Sequence, residues 1–153
     1  MNKILYAAYG SNLNYEQMAW RCPNSEPVGL GMINDYKLCF DVHADIRPER
    51  GSCVPVLLWD ISDEDWENLD RYEGYPKYYI KKIVKVNFGN QEVDAIVYVM
   101  TNGRCYSFPS EDYYFTIVEG YNQNGMDIDF LRDGIYYTAI KMERFNYYKE
   151  DDV

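Results

Sequence analysis

The sequence contains a single histidine, His43, and four cysteines that form no CxxC pair. A zinc site normally needs several nitrogen or sulfur ligands at short spacings, so this composition argues against a zinc protein. Isolated cysteines more often behave as small buried apolar residues in a reducing compartment. The scarcity of ligating residues therefore argues against the common zinc-dependent classes.

The chain also lacks a basic cluster and a long apolar run. Its formal net charge is −10, whereas a nucleic-acid-binding protein needs a basic face. The run ILYAAY (4–9) is shorter than the apolar core of about 7–15 residues in a signal peptide. No run approaches the roughly 20 apolar residues of a membrane span. We therefore expect a cytoplasmic protein with neither nucleic acid nor membrane as a partner.

The usual signatures of nucleophilic and nucleotide-binding sites are missing as well. The sequence has no G-x-S-x-G, and His43 is the only histidine available as a base, so Ser11 is a poor candidate nucleophile. We interpret His43 as an ordinary residue at a strand end. The chain also lacks the longer glycine patterns of a P-loop or a dinucleotide-binding loop.

Tyrosine is the abundant residue type, with 17 in a chain of 153 residues. Tyrosine joins an apolar ring to a polar hydroxyl, so these residues serve either for packing or as the lining of a polar pocket. Composition leaves both roles open. The length and the hydrophobic content of 47% fit one domain over residues 1–153.

Apolar alternation and turn residues predict strands in the first two thirds of the chain. The predicted strands are KILYAAY (3–9), YKLCFDV (36–42), CVPVLLWDI (53–61), YIKKIVKVNF (79–88) and EVDAIVYVM (92–100). The last two flank the turn sequence GNQ and form a predicted β-hairpin. Pro55 indicates an edge position or a bulge in its strand, because proline cannot donate a ladder hydrogen bond.

Capping residues predict helices between and after these strands. Asn14 caps a short helix with Gln17 at the capping-box position, and Ser62 caps a helix that Gly74 and Pro76 end. Ser110 caps a third helix, and a fourth begins near residue 127 or 129. Strands early and helices late favour an α+β fold.

Glu73 lies where its helix is expected to bury a side chain. Trp66 and Leu69 set the apolar face, and Glu73 follows Leu69 by four residues on the same stripe. Burial and the negative end of the helix dipole both raise the pKa of a carboxyl group, which suits general acid–base catalysis. Alternatively, Glu73 bends out to solvent or pairs with Arg71 or Lys77. The helix pattern alone leaves both interpretations open.

The stretch YGSNL (9–13) connects the first strand to the first helix. Gly10 permits a tight turn, and Ser11, Asn12 and Leu13 then present N–H groups just before a helix begins. Such a loop can hold a carboxylate, a phosphate or a developing oxyanion. The alternative is an ordinary strand-to-helix turn.

Several short motifs occur together and in a fixed order. YGSNL (9–13) follows the first strand, and LDRYEG (69–74) is followed by Tyr78 and Tyr79. YVMTN (98–102), PSEDY (109–113) and the glycine spacing of EGYNQNG (119–125) come after them. In this combination they resemble the γ-glutamyl cyclotransferases and the wider AIG2-like group, from residue 4 to about residue 130.

The resemblance implies a small mixed β-barrel with flanking α-helices. It implies an enzyme that releases 5-oxoproline from a small-molecule γ-glutamyl substrate, without metal or cofactor, with Glu73 as the catalytic acid/base. The substrate-binding positions that it implies are Tyr9, Gly10, Ser11, Asn12, Leu13, Tyr79, Tyr98 and Tyr113. The register leaves open whether Tyr78 or Tyr79 lines the pocket. The oligomeric state is open too, with a homodimer as one option.

The chain departs from many relatives around its third strand. DVHADI (41–46) replaces a stretch with a glycine pair, and Val56 replaces a glycine, so we expect added bulk to narrow the pocket or change what it accepts. The leaving group therefore stays open. The alternatives are a related acyl transfer or γ-glutamylamine cleavage, and a binding module that retains the pocket without turnover.

Overall fold

The computed structural model describes residues 3–101 and 105–151, with only the backbone described for residues 145–151. Asn102 of the YVMTN motif lies outside the described residues. Within these residues, five strands form the sheet: β1 (Leu5–Ala8), β2 (Glu26–Asp41), β3 (His43–Asp60), β4 (Tyr79–Phe88) and β5 (Gln91–Met100).

These strands close into a barrel in the order β1-β3-β2-β4-β5. Neighbouring strands are antiparallel except for β5 and β1, which pair in parallel and complete the circle. A two-residue turn at Gly89 and Asn90 joins β4 to β5, as the GNQ sequence predicts. The predicted mixed barrel is confirmed.

The hairpin of β2 and β3 is about ten residues longer on each strand than the sequence indicates. It runs from the pair Glu26 and Asp60 to the pair Asp41 and His43. The first part of β2 was not predicted from the sequence, because Gly29 and Gly31 weaken the pattern that indicates a strand. A Cβ atom at Gly29 would lie 2.8 Å from the ring of Phe88, and one at Gly31 would lie 2.5 Å from a methyl group of Val86. These glycines therefore permit the close approach of β2 to β4 that closes the barrel.

Pro55 follows the prediction of an edge position. It faces Met32 of β2, whereas the pairing of β3 with β1 runs only from Trp59 to Leu57. At Pro55 the missing N–H therefore removes no bond to β1.

In the part of the chain that the structure describes, four α-helices surround the barrel: α1 (Tyr15–Arg21), α2 (Asp63–Glu73), α3 (Glu111–Gln123) and α4 (Asp129–Asp151). The predicted caps are confirmed, because side-chain oxygens of Asn14, Ser62 and Ser110 accept the N–H groups three residues later. Gly74 ends α2 with a φ of 64°. No helix in the described ranges is long and apolar enough to cross a membrane.

The helix α3 holds the loop after β1 in place. Leu13 is fully buried, and a Cβ atom at Gly120 of α3 would lie 2.8 Å from the Cβ atom of Leu13. Asn124 donates its side-chain N–H to the carbonyl oxygen of Leu13 at 3.0 Å. The barrel and α3 thus fix the loop from opposite sides.

Candidate active site

Glu73 is the last residue of α2, and its side chain turns toward the barrel. Leu69, one turn earlier, is fully buried, and Trp66 packs against the core. The carboxylate of Glu73 is partly buried, and its Oε1 atom accepts a hydrogen bond from Nδ2 of Asn12 at 3.1 Å. The inward orientation expected from the helix pattern is therefore confirmed.

The environment of Glu73 favours its protonated form. Burial raises the pKa of this carboxyl group from 4.5 to about 7, although the charge of Arg21 and the hydrogen bond from Asn12 both lower it. Within the described part of the chain, Glu73 forms no ion pair with Arg71 or Lys77, the two partners considered from the sequence. A carboxyl group with this pKa both accepts and returns protons near neutral pH.

The loop of residues 9–13 brings two N–H groups to the same place. Gly10 has a φ of −121°, so its role is close packing rather than a left-handed turn: a Cβ atom there would lie 3.0 Å from the Cβ atom of Ala44. Among the described residues, the N–H groups of Ser11 and Asn12 have no acceptor within hydrogen-bond distance. The N–H of Leu13 is not free as expected, because it donates to the carbonyl oxygen of Gly10 at 3.1 Å.

A small inner pocket lies between this loop and Glu73. Its volume is about 30 Å³, which is space for only one or two water molecules. It is lined by Tyr6, Tyr9, Gly10, Ser11, Asn12, Ala44, Glu73, Tyr79, Tyr98 and Tyr113. Of the positions that the resemblance implied, only Leu13 does not line it, because its side chain is buried against α3.

A larger outer cavity adjoins the inner pocket. Its volume is about 370 Å³. It is lined by Arg21, His43, Arg71, Tyr72, Glu73, Gly74, Tyr78, Tyr79 and Tyr113. Glu73, Tyr79 and Tyr113 line both spaces, so the carboxylate lies at the junction of the two. Tyr79 lines both spaces, and Tyr78 lines the outer cavity.

Three of the pocket tyrosines donate their hydroxyl hydrogens to acceptors within the protein. Tyr9 donates to the carbonyl oxygen of Tyr98, Tyr79 donates to the carbonyl oxygen of Ala44 at 2.6 Å, and Tyr98 donates to the carboxylate of Asp70. Their rings line the inner pocket, and the hydrogen bonds of their hydroxyl groups hold the rings in place. Burial raises the pKa of each of these hydroxyl groups, so all three stay neutral.

Two other tyrosines keep a hydroxyl hydrogen to offer. The Tyr113 hydroxyl oxygen accepts the N–H of Ala44 at 3.0 Å, and the Tyr6 hydroxyl oxygen accepts from Asn12 at 3.0 Å. Burial raises the pKa of Tyr113 to about 12. A neutral hydroxyl group that accepts one bond can still donate another, so Tyr6 and Tyr113 are the pocket tyrosines best suited to bind a ligand.

Residues 6–115 match the family described as gamma-glutamyl cyclotransferase, AIG2-like. The chain belongs to this family. A curated gamma-glutamylcyclotransferase from Homo sapiens is 28% identical over 142 residues, which cover 83% of this chain and 74% of the human protein. A relative of the same name from Bos taurus is 28% identical over 145 residues, covering 84% of this chain and 76% of the relative.

A solved structure named gamma-glutamyl cyclotransferase has the same fold. It superimposes with a TM-score of 0.77 at 27% sequence identity, covering 85% of each chain. These findings establish the protein as an enzyme of the gamma-glutamyl cyclotransferase family with a small mixed barrel. The predictions of family and fold class are confirmed.

The expected effect of Val56 in this family member is wrong. Val56 is fully buried opposite Gly31 of β2 and lines neither the inner pocket nor the outer cavity. The departure at residues 41–46 does reach the site, because Ala44 lines the inner pocket and His43 lines the outer cavity. His43 is the first residue of β3, as its interpretation as a strand-end residue predicts.

Three residues of the site are not predicted from the sequence: Tyr6, Ala44 and Arg21. Tyr6 and Ala44 come from strands whose neighbours in space are set by barrel closure, which a single sequence does not reveal. A local signal did exist for Arg21, since Gln17 and Arg21 are four residues apart and share one face of α1. Both side chains donate to Asn12 of the loop, Gln17 at 3.2 Å and Arg21 at 2.9 Å.

Proposed function

We propose that the protein is a γ-glutamyl cyclotransferase in which Glu73 acts as general acid and base. The observation that carries this proposal is the position of one carboxyl group with a pKa of about 7 between the small inner pocket and the larger outer cavity. The unpaired N–H groups of Ser11 and Asn12 lie beside that pocket. The same arrangement serves both proton transfer and stabilisation of an oxyanion.

The reaction begins with the α-ammonium group of the substrate, which gives a proton to Glu73. The freed amine attacks the γ-carbonyl carbon, a carbon–nitrogen bond forms, and the carbonyl oxygen becomes an oxyanion that the N–H groups of Ser11 and Asn12 stabilise. Collapse of this intermediate breaks the bond between the γ-carbon and the departing nitrogen. Of the three ammonium hydrogens, one stays on the ring nitrogen and two end on the departing amine. Glu73 relays protons and returns to its starting state.

Ring closure needs no nucleophile from the protein. The attacking amine and the carbonyl belong to one molecule, so holding the glutamyl chain folded provides much of the rate. The rings of Tyr9, Tyr79 and Tyr98, held by their hydroxyl hydrogen bonds, supply a stiff surface beside Glu73 against which the chain folds. We propose Tyr9, Gly10, Ser11, Asn12, Tyr79, Tyr98 and Tyr113 as the substrate-binding residues, with Tyr6 added.

The outer cavity has the charge and the volume for the leaving group. Two cations, Arg21 and Arg71, line it, and Glu73 is its only acid among the described residues. His43 also lines it, but burial lowers the pKa of His43 and favours its neutral form. Such a cavity favours a departing amine that carries a carboxylate, as an amino acid does, over a neutral or cationic amine. This favours γ-glutamyl amino acids or peptides over γ-glutamylamines as substrates.

The decisive experiment is an assay for 5-oxoproline with paired substrates. γ-Glutamyl-alanine and γ-glutamyl-ethylamine differ by one carboxylate, so their ratio of kcat/KM measures the preference for an anionic leaving group. We expect turnover by the wild type, a preference for γ-glutamyl-alanine of about tenfold, and loss of turnover in Glu73→Gln. Equal turnover by Glu73→Gln would exclude Glu73 as the base.

Two other outcomes point to the alternative functions. A preference for γ-glutamyl-ethylamine would favour γ-glutamylamine cleavage. Binding of both compounds, detected by calorimetry, without any 5-oxoproline would favour a binding module. The exposed residue Glu67 of α2 supplies the matched control, since Glu67→Gln makes the same change on the same helix and is expected to leave turnover intact.

A further inference from the structure

The side-chain amide of Asn12 is buried and makes four hydrogen bonds. Its Oδ1 atom accepts from Gln17 at 3.2 Å and from Arg21 at 2.9 Å. Its Nδ2 atom donates to Tyr6 at 3.0 Å and to Glu73 at 3.1 Å. The guanidinium of Arg21 has only hydrogens to offer, so it must face the amide oxygen and thereby directs the NH₂ group of Asn12 toward Glu73.

Both donors to the oxygen of Asn12 come from one face of α1. Asn14 caps this helix by accepting the backbone N–H of Gln17, which leaves the Gln17 side chain to reach Asn12. This differs from the predicted capping box, in which that side chain would turn back to the cap. Arg21 lies at the last turn of α1, where a positive charge is favourable.

Arg21 is also held from the side of α2. Its guanidinium carbon lies 4.8 Å from the centre of the Tyr72 ring, and Tyr72 directly precedes Glu73. The side chain therefore spans from the loop to the last turn of α2. These two contacts hold the charge of Arg21 close enough to Glu73 to lower the pKa of its carboxyl group.

We propose that Arg21 is a positioning residue that acts on Glu73 through the Asn12 amide, with Gln17 as the second anchor of that amide. The inference rests on the proposed role of Glu73 as acid and base. Arg21 orients the donor that holds one carboxylate oxygen, and its charge favours the ionised form that accepts the substrate's proton. Orientation of the Asn12 amide and the charge near Glu73 are two separate effects of Arg21. They can be distinguished because Gln17 also orients the amide but carries no charge.

Other groups with ionisable side chains surround Glu73 on every side. They are Tyr6 of β1, Tyr9 of the loop, Cys22 after α1, His43 of β3, Arg71 and Tyr72 of α2, Tyr78, Tyr79 of β4, Tyr98 of β5 and Tyr113 of α3. Burial raises the pKa of five of these tyrosines and of the Cys22 thiol and keeps them neutral, the five being Tyr6, Tyr9, Tyr79, Tyr98 and Tyr113. Burial lowers the pKa of His43. Arg21 is the cation whose charge acts against the burial of Glu73.

The test uses Arg21→Met, Arg21→Lys, Gln17→Met and Asn12→Ala, with Arg50→Met as the control at an exposed arginine of β3. The titration of the Glu73 carboxyl carbon is followed by ¹³C NMR in the free protein. We expect Arg21→Met to raise the titration midpoint by about one pH unit. Arg21→Lys, which keeps the charge, is expected to stay near the wild type, as are Gln17→Met and Arg50→Met.

A double-mutant cycle tests whether the action passes through Asn12. If it does, Arg21→Met in the Asn12→Ala background reduces kcat by clearly less than the same substitution in the wild type. Gln17→Met is expected to lower kcat several-fold with an unchanged titration midpoint, because it loosens the amide without removing a charge. Fully additive effects of Arg21→Met and Asn12→Ala would overturn the proposed link.

The titration tests the role of Arg21, and the 5-oxoproline assay tests the proposed function, so either hypothesis can be rejected without the other. Titration needs no substrate, so an unchanged midpoint in folded Arg21→Met overturns the role of Arg21 even if the enzyme turns over γ-glutamyl compounds. Absence of all turnover would contradict the proposed function and leave the titration to decide whether Arg21 sets the ionisation of Glu73. If Arg21→Met does not fold, a raised midpoint in Arg21→Gln supports the role of Arg21, and an unchanged one overturns it.

Discussion

Tyr98 of β5 donates its hydroxyl hydrogen to the carboxylate of Asp70, three residues before Glu73 in α2. The other carboxylate oxygen of Asp70 accepts from Lys81 of β4 at 2.9 Å. Lys81 and Asp70 are each about a quarter exposed, and such ion pairs contribute little. The bond from the buried Tyr98 hydroxyl is therefore the stronger tie between the barrel and the end of α2.

Tyr98→Phe removes that bond and little else. A hydrogen bond to a charged group contributes about 1.5–3 kcal/mol, so we expect the free energy of unfolding to fall by that amount in urea denaturation. We also expect a several-fold lower kcat, because the last turn of α2 is less firmly held. Tyr136→Phe, at an exposed tyrosine of α4, serves as the control and is expected to change neither quantity. A Tyr98→Phe protein as stable as the wild type would contradict this account of the hydroxyl bond.

The pKa of Glu73 predicts the pH dependence of turnover. Glu73 must be ionised to accept a proton from the substrate, and its pKa is raised to about 7 by burial. We expect kcat/KM for a γ-glutamyl substrate to fall about tenfold per pH unit below a midpoint near 7 and to level off above it. Glu67→Gln should reproduce this profile. A profile that is flat between pH 5 and pH 8 would show that a different group limits the reaction.

The sequence predicts the parts of this site that depend on local structure. Glu73 is found from the periodicity and the caps of α2, and the loop is found from its glycine and its place between strand and helix. The long β2–β3 hairpin was missed because Gly29 and Gly31 weaken the strand pattern while meeting a need set by β4. The spacing of Gln17 and Arg21 places both on one face of α1, but it does not show what that face contacts. Their shared partner, Asn12, belongs to a different element, and the packing of α1 on the loop brings them together.

The contact between Gly120 of α3 and Leu13 allows a test of how strongly the position of the loop of residues 9–13 depends on helix packing. A Cβ atom at Gly120 would meet both the side chain and the backbone of Leu13 at 2.8–2.9 Å, so the loop must shift to make room for it. We expect Gly120→Ala to reduce the free energy of unfolding by about 1–3 kcal/mol. It should also raise KM, because the displaced loop carries Ser11 and Asn12.

The control for Gly120→Ala is the matched substitution in α4. A Cβ atom at Gly134 would lie 3.0 Å from Leu38, and neither residue lines the inner pocket or the outer cavity. Gly134→Ala should therefore lower the melting temperature with an unchanged KM, measured well below that temperature. Equal KM values for Gly120→Ala and the wild type would show that the loop tolerates the shift.

The raised pKa of Glu73 also predicts that the free energy of unfolding decreases as pH rises. Its pKa is about 7 in the folded protein and near the ordinary value of 4.5 in the unfolded chain. Below about pH 4.5 both states are protonated, so the group has no effect there. Between these values Glu73 is ionised in the unfolded chain but still protonated in the folded protein. The free energy of unfolding therefore decreases as pH rises, and this decrease is complete above about pH 7.

Glu73→Gln removes this ionisation while keeping an oxygen that can accept from Asn12. We expect the variant to be more stable than the wild type at pH 8, on the order of 3 kcal/mol, and the difference to shrink toward zero near pH 4.5. Urea denaturation of both proteins across this range measures it, with Glu67→Gln as the control that should follow the wild type. Parallel stability curves for Glu73→Gln and the wild type would mean that folding does not shift the Glu73 pKa. A gain in stability together with loss of turnover would show that the buried carboxyl group is kept for its chemistry at the expense of the fold.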